Sequence, residues 1–202
     1  MPTTRLILIR HGETEFNLKK RYCGFLNVSL SERGKKQAQC LHERLKRIKI
    51  HKVYSSDRTR AIQTAEIVFK KARIEKNSSL REIHFGCFEG LTYDEIMQKY
   101  PDIYKKWLKD PFSIKIPKGE HLRDFKKRIT KTLNKIISGN RNKTIALVCH
   151  GGAISIFITG ILKTRNFWEQ IPRSASMSIV EYKNNTPKIK SLNDISHLKK
   201  YG

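Results

Sequence analysis

The stretch Leu6-Ile7-Leu8-Ile9-Arg10-His11-Gly12-Glu13-Thr14 decides the fold. Four apolar residues stand in a row with no helical period, and the sequence then turns polar at once. A short run of this kind reads as a strand buried on both faces, here Arg5–Arg10. The same event recurs in Thr144–Cys149, which stops at His150-Gly151-Gly152 and opens a helix over Ala153–Leu162. Lys52–Ser55 is a third short strand, running into Ser55-Ser56-Asp57-Arg58-Thr59-Arg60. Between strands the apolar spacing changes to steps of three and four. Ala38, Leu41, Leu45 and Ile48 mark a helix capped by Ser31 and reaching about Arg47. Ala61, Ala65, Val68 and Ala72 mark another, with Ser55-Ser56-Asp57 as its cap. Leu122, Phe125, Ile129, Leu133 and Ile136 mark a long one across Glu120–Ile137. Ser176–Tyr182 and Pro187–Leu192 read as closing strands. This alternation predicts an α/β fold in three layers, a mostly parallel sheet with helices on both faces. The exception is a small helical insertion, a lobe at about 90–119. There Thr92–Leu108 is helical in two pieces broken before Pro101, and the lobe is expected over one edge of the sheet. The whole of 1–202 reads as a single domain.

Composition bounds the remainder. Of 202 residues, 38% are hydrophobic and 30% charged, enough for one compact domain and too few for two. The longest apolar stretch, around Ala153–Leu162, falls short of the roughly 18–20 residues of a transmembrane helix. Leu6–Ile9 falls short of the about 7–15 apolar residues of a secretory signal. A cytoplasmic protein is expected. Cys23, Cys40, Cys87 and Cys149 form no C-x-x-C pair and no zinc-finger spacing, so they read as reduced thiols. Lys and Arg number 42 against 18 Asp and Glu, a formal charge of +24. Such a field draws anionic substrates and polyanions alike. The cations divide evenly, 21 in 1–101 and 21 in 102–202, and no basic tail or aromatic RNA-binding signature is present. A solvated basic surface is expected, with neither membrane association nor dedicated nucleic-acid binding.

In a parallel sheet, ligands bind beyond the carboxyl ends of the strands. Those ends deliver Arg10-His11-Gly12, then Ser55–Arg60, then Cys149-His150-Gly151-Gly152 at a helix start. Arginine forks suit phosphate oxygens, and N–H groups at a helix N-terminus bind anions. Histidine can attack phosphorus or donate to its oxygens. Each feature alone is commonplace; two His-Gly steps after apolar strands, one preceded by Arg, point to a phosphate site. Glu13, Glu15, Glu82 and Glu89 are the carboxylates available for proton transfer.

The block Leu6–Asn17 resembles the signature of the histidine phosphatase superfamily, the phosphoglycerate-mutase-like family. The resemblance continues in order through Gly24, Leu30–Gly34, Ser55–Ala65, Leu80–Gly86 with Glu89-Gly90, Lys118-Gly119-Glu120 and His150-Gly151-Gly152. It implies that His11 is a nucleophile forming a phosphohistidine. It implies that Arg10, Arg60 and His150 hold the phosphoryl oxygens, and that Glu82 protonates the leaving oxygen and then activates water. Thr14, Asn17 and the backbone of Gly24 and Gly151 would line the rest of the site. The motif selects Arg60 over Arg58, which becomes an extra cation at the surface or the rim of the pocket, and Glu82 over its rivals. Asp57 is left as a helix cap. Phosphoryl transfer needs positioning and charge stabilisation above all, which two arginines and a histidine supply, so neither metal nor cofactor is expected.

The family holds phosphatases and mutases on one fold. Only 67 residues separate Glu82 from His150, where mutases carry a longer insertion. Ile83 and Phe85 stand where mutases carry an arginine and a tyrosine that hold a substrate carboxylate. The pattern looks more like the short bacterial phosphatases, α-ribazole-5′-phosphate phosphatase and broad-specificity enzymes among them. A phosphomonoester hydrolase acting on a small phosphorylated metabolite is the expectation, with a phosphoglycerate mutase as the alternative. A non-catalytic polyanion-binding protein on the same fold is the third reading, and the intact catalytic set speaks against it. Whether the chain works as a monomer or a homodimer is left open.

Overall fold

Each side chain of Leu6-Ile7-Leu8-Ile9 is fully buried, because the strand they form lies inside a sheet with a helical layer on either face. The computed structural model describes residues 3–164 and 166–199. In chain order the elements are β1 (Thr4–Arg10), α1 (Glu15–Leu18), α2 (Glu32–Leu45), β2 (Lys52–Ser55), α3 (Thr59–Phe69) and β3 (Ile74–Lys76). There follow α4 (Tyr93–Lys99), α5 (Pro101–Lys109), α6 (Leu122–Ser138), β4 (Thr144–Cys149), α7 (Gly151–Leu162), β5 (Met177–Lys183) and β6 (Thr186–Asp194). The strands form one sheet in the order β3-β2-β4-β1-β5-β6. The first four are parallel; β5 and β6 add antiparallel. Alternation along β1 divides the core. Leu6 and Leu8 join Ile145 and Leu147 against α6 and α7, while Ile7 and Ile9 join Val148 against α2 and α3. The three-layer α/β expectation is met.

The helical insertion forms α4 and α5, separated at Tyr100-Pro101 as the proline requires. Its core of Phe88, Ile96, Tyr104, Trp107 and Ile116 packs against Tyr22 and Phe85 and includes no residue of the edge strands β3 and β6. The lobe therefore packs against the loops that follow β1 and β3. The cap of α3 differs from expectation. Arg58 occupies the cap position without a side-chain bond to the helix. Asp57 instead takes two hydrogen bonds from Arg81, one of 2.7 Å from Nε to Oδ1. The fork of an arginine offers a carboxylate more than a lone backbone N–H does. Arg58 lies over the Phe25 ring, 5.5 Å from its centroid. Helix α6 starts at Leu122, where the His121 side chain caps it by accepting from Arg123 N–H; Glu120, just before it, is engaged by Arg128.

Candidate active site

Sheet register brings the site together. Arg10 stands opposite Cys149, and Ser55 opposite Val148, so β1, β4 and β2 end side by side. The next residues are His11, His150 and Ser56. Gly12 and Gly34 permit this convergence: a Cβ on Gly12 would lie 2.6 Å from Gly34 O, and one on Gly34 would lie 2.0 Å from Glu13 O. Only glycines allow the start of α2 to touch the loop after His11.

His11 is 4% exposed, and its tautomer is fixed by two bonds. Nδ1 lies 2.7 Å from Gly12 O; a carbonyl only accepts, so Nδ1 carries the proton. Arg60 Nε donates to His11 Nε2 at 3.2 Å, so Nε2 presents its lone pair. Burial first, then the charges of Arg60 and Arg10, push the imidazole well below its ordinary range. The ring is thus neutral, with its unprotonated nitrogen accepting from a guanidinium. Arg60 is 1% exposed and held at three corners, its other nitrogens donating to Leu26 O and Gly24 O at 2.8 Å each. Arg10 Nη1 donates to Pro172 O at 2.5 Å, while its buried Nε has no protein partner. His150 lies edge-on to His11, ring centroids 5.3 Å apart, and shares a 2.8 Å hydrogen bond between Nε2 and the Ser56 hydroxyl. Burial and then Arg60 also depress this second imidazole.

Glu82 reaches the site from the loop after β3. Its Oε2 accepts from Gly152 N–H at 2.8 Å, on the first turn of α7, and Oε1 accepts from Ile83 N–H at 3.1 Å. Arg10, His11, Arg60, Glu82, Asn17, Gly24, Gly151 and Gly152 line one cavity of about 460 Å³. Of the four candidate glutamates, Glu82 alone is on its wall. Glu89 instead accepts from Phe25 N–H at 2.7 Å and Phe85 N–H at 3.1 Å, tying two loops together. Glu13 faces Arg33 at 3.8 Å, and Glu15 opens α1. Thr14 is fully buried and stands off the wall. It forms a reciprocal cap with Asn17 that uses the Asn17 carbonyl oxygen and leaves its amide nitrogen as donor. His150 is likewise fully buried and is not on the wall, but its ring lies edge-on to His11 and its Nδ1 has no protein partner, which leaves it a nitrogen to offer a ligand.

Cys23, Ile83 and Phe85 also line the cavity, as do Lys20, Arg21, Tyr22, Tyr93, Phe167, Trp168 and Ile171, and none of the last seven is assigned to the site from sequence. Those seven come from three separate stretches of chain with no shared spacing. Arg21 is tied to Glu95 and Gly90 O, and the Tyr22 and Tyr104 hydroxyls bond each other at 2.6 Å. Lys20 has no ion-pair partner among the described residues and adopts φ +52°, which turns the chain beside the cavity. Cys149 is buried, and burial pushes its thiol up, so it serves packing. Among the described residues no three His, Cys, Asp or Glu side chains gather as metal ligands, and no helix is long and apolar enough to cross a membrane.

Comparison with known proteins agrees with this fold. Phosphoserine phosphatase 1 of Hydrogenobacter thermophilus is 32% identical over 198 residues, 96% of this chain and 94% of that protein. The crystal structure of an α-ribazole phosphatase from Shigella flexneri superposes with a TM-score of 0.87 at 27% identity, covering 95% of this chain and 96% of that one. A phosphoserine phosphatase mutant from Entamoeba histolytica, in complex with phosphoserine, superposes with a TM-score of 0.86 at 29% identity, covering 96% and 99%. The family profile described as histidine phosphatase superfamily, branch 1, matches residues 6–195. With that match running over nearly the whole chain and a relative 32% identical across 96% of it, the chain belongs to the histidine phosphatase superfamily.

Proposed function

We propose that this phosphatase hydrolyses small phosphomonoesters through a phosphohistidine on His11. The observation that carries the reading is the fixed tautomer: a neutral ring with Nδ1–H on Gly12 O and Nε2 beside Arg60. A nucleophile needs that lone pair, and a developing phosphoryl charge needs that guanidinium. Arg10, Arg60 and His150 hold the equatorial oxygens. Glu82 carries the proton to the leaving oxygen and then takes one from the attacking water. Asn17 and the backbone of Gly24 and Gly151 line the phosphate end; Thr14 acts by holding Asn17. The domain is one unit with its helical lobe shaping the substrate end. The substrate is a small phosphorylated metabolite, α-ribazole 5′-phosphate or a range of such esters, with O-phosphoserine added by the named relatives.

The test is a single reaction followed for free phosphate and for 2- and 3-phosphoglycerate, with and without 2,3-bisphosphoglycerate. Phosphate release is expected to exceed isomerisation by at least roughly 100-fold, about 2.7 kcal/mol of transition-state stabilisation. Rapid quenching with labelled ester is expected to trap an acid-labile phosphoenzyme that His11→Ala abolishes. Label on a serine or cysteine would refute the mechanism, and isomerisation outrunning release would make the chain a mutase. Running the same assay on α-ribazole 5′-phosphate and O-phosphoserine ranks the substrates.

A further inference from the structure

Arg128, on α6, fastens the loop that carries Glu82. A guanidinium has five N–H donors in a planar fork, and this one makes three bonds to one segment and two to Glu120. Nη1 donates to Ser79 O and Arg81 O at 3.0 Å each, and Nη2 to Glu82 O at 3.1 Å. Nε and Nη2 grip the two oxygens of Glu120 at 2.9 and 2.6 Å. Glu120 adds a further tie, its N–H donating to His84 O at 2.8 Å. The guanidinium also lies over Phe125, 5.1 Å from the ring centroid, which anchors it to the core face of α6. Four carbonyls between Ser79 and His84 are thus held from one side. Beyond its short 3₁₀ turn at Ser78–Leu80, this segment has no regular structure of its own to fix Glu82.

We infer that Arg128 is a positioning residue for Glu82, setting the backbone from which the carboxylate reaches the cavity. The inference rests on the reading of Glu82 as proton carrier. Lysine would keep the charge but, with one ammonium point, cannot cover a carboxylate and three carbonyls. Loss of the fork leaves Glu82 in place chemically but displaced from the leaving oxygen. A misplaced general acid harms esters in proportion to their need for a proton, whereas a general structural defect harms all esters alike.

The experiment compares kcat/KM for glycerol 3-phosphate, a poor leaving group, with p-nitrophenyl phosphate, a good one. Arg128→Lys is expected to lower the first by at least about 30-fold and the second by no more than about 3-fold. Added to Glu82→Gln, it is expected to cost nothing further on glycerol 3-phosphate, because both changes remove one function. Glu120→Gln, which keeps side-chain shape while loosening the pair, is expected to give the same selective loss and serves if Arg128→Lys does not fold. Equal losses on both esters, fully additive losses, or no loss overturn the inference. If Glu82→Gln itself fails to discriminate between the esters, the proton-carrier reading falls and this inference falls with it. If Glu82→Gln discriminates and Arg128→Lys does not, only Arg128 loses its role.

Discussion

A Cβ on Gly152 would lie 2.5 Å from Glu82 Oε1 and 3.1 Å from its carboxyl carbon. Gly152→Ala is therefore expected to turn the carboxylate aside while leaving α7 intact, since the clash is with the end of a flexible side chain. Turnover of alkyl phosphates should fall by about 100-fold, with p-nitrophenyl phosphate little affected. Kinetics on the two esters, with thermal unfolding as the control, checks this. Unchanged alkyl-phosphate turnover would mean that the Gly152 contact does not place Glu82. The residues at strand ends were legible from sequence because a strand end is itself legible: Arg10, His11 and His150 follow directly from apolar runs, and Arg60 and Glu82 from the family motif. Asp57 and Thr14 hold places in the structure that differ from the sequence reading. Their partners, Arg81 and Asn17, depend on loop geometry that spacing does not encode.

Among the elements, the lobe depends on Phe88. It is fully buried, with the rings of Tyr22, Tyr100, Tyr104 and Trp107 around it at 5.5–6.4 Å between centroids. Phe88→Ala removes the piece that all four contact, and is expected to destabilise the protein by about 3–5 kcal/mol. Because Tyr22 belongs both to this cluster and to the cavity wall, KM should rise as well. Urea unfolding together with steady-state kinetics tests both halves, and a destabilised protein with unchanged KM would separate the lobe from the substrate. The break between α4 and α5 was legible because proline cannot continue a helix. Strand β3, with three residues, and α1, with four, were not, since neither is long enough to show a period. The lobe's position was also hidden: its apolar faces are evident in sequence, but not which loops they cover.

For the whole molecule, the two buried imidazoles link stability to pH. Burial and neighbouring arginines hold His11 and His150 below the ordinary histidine range. The unfolded chain, with histidines near about 6.5, takes up protons that the folded chain refuses. Stability is therefore complete above that value and falls as pH drops below it, by at most about 2.7 kcal/mol per pH unit for two such groups. Denaturant unfolding at pH 7.5 and 5.5 measures the slope, and His11→Asn should reduce it by one proton. A slope unaffected by that substitution would assign the acid sensitivity elsewhere. The sheet order has a different consequence, in time rather than energy. Strand β4 lies between β2 and β1, yet nearly ninety residues separate it from β2 along the chain. A chain emerging from the ribosome completes β1 and β2 early, and their facing edges have no neighbour until residue 149 is free. Unpaired edges are templates for association with other chains, and pairing across such sequence distance is slow. The protein is thus most exposed to aggregation and to chaperone capture late in its own synthesis. Because His150 follows directly on the strand that fills that gap, a nascent chain has no complete phosphate site until the gap is filled.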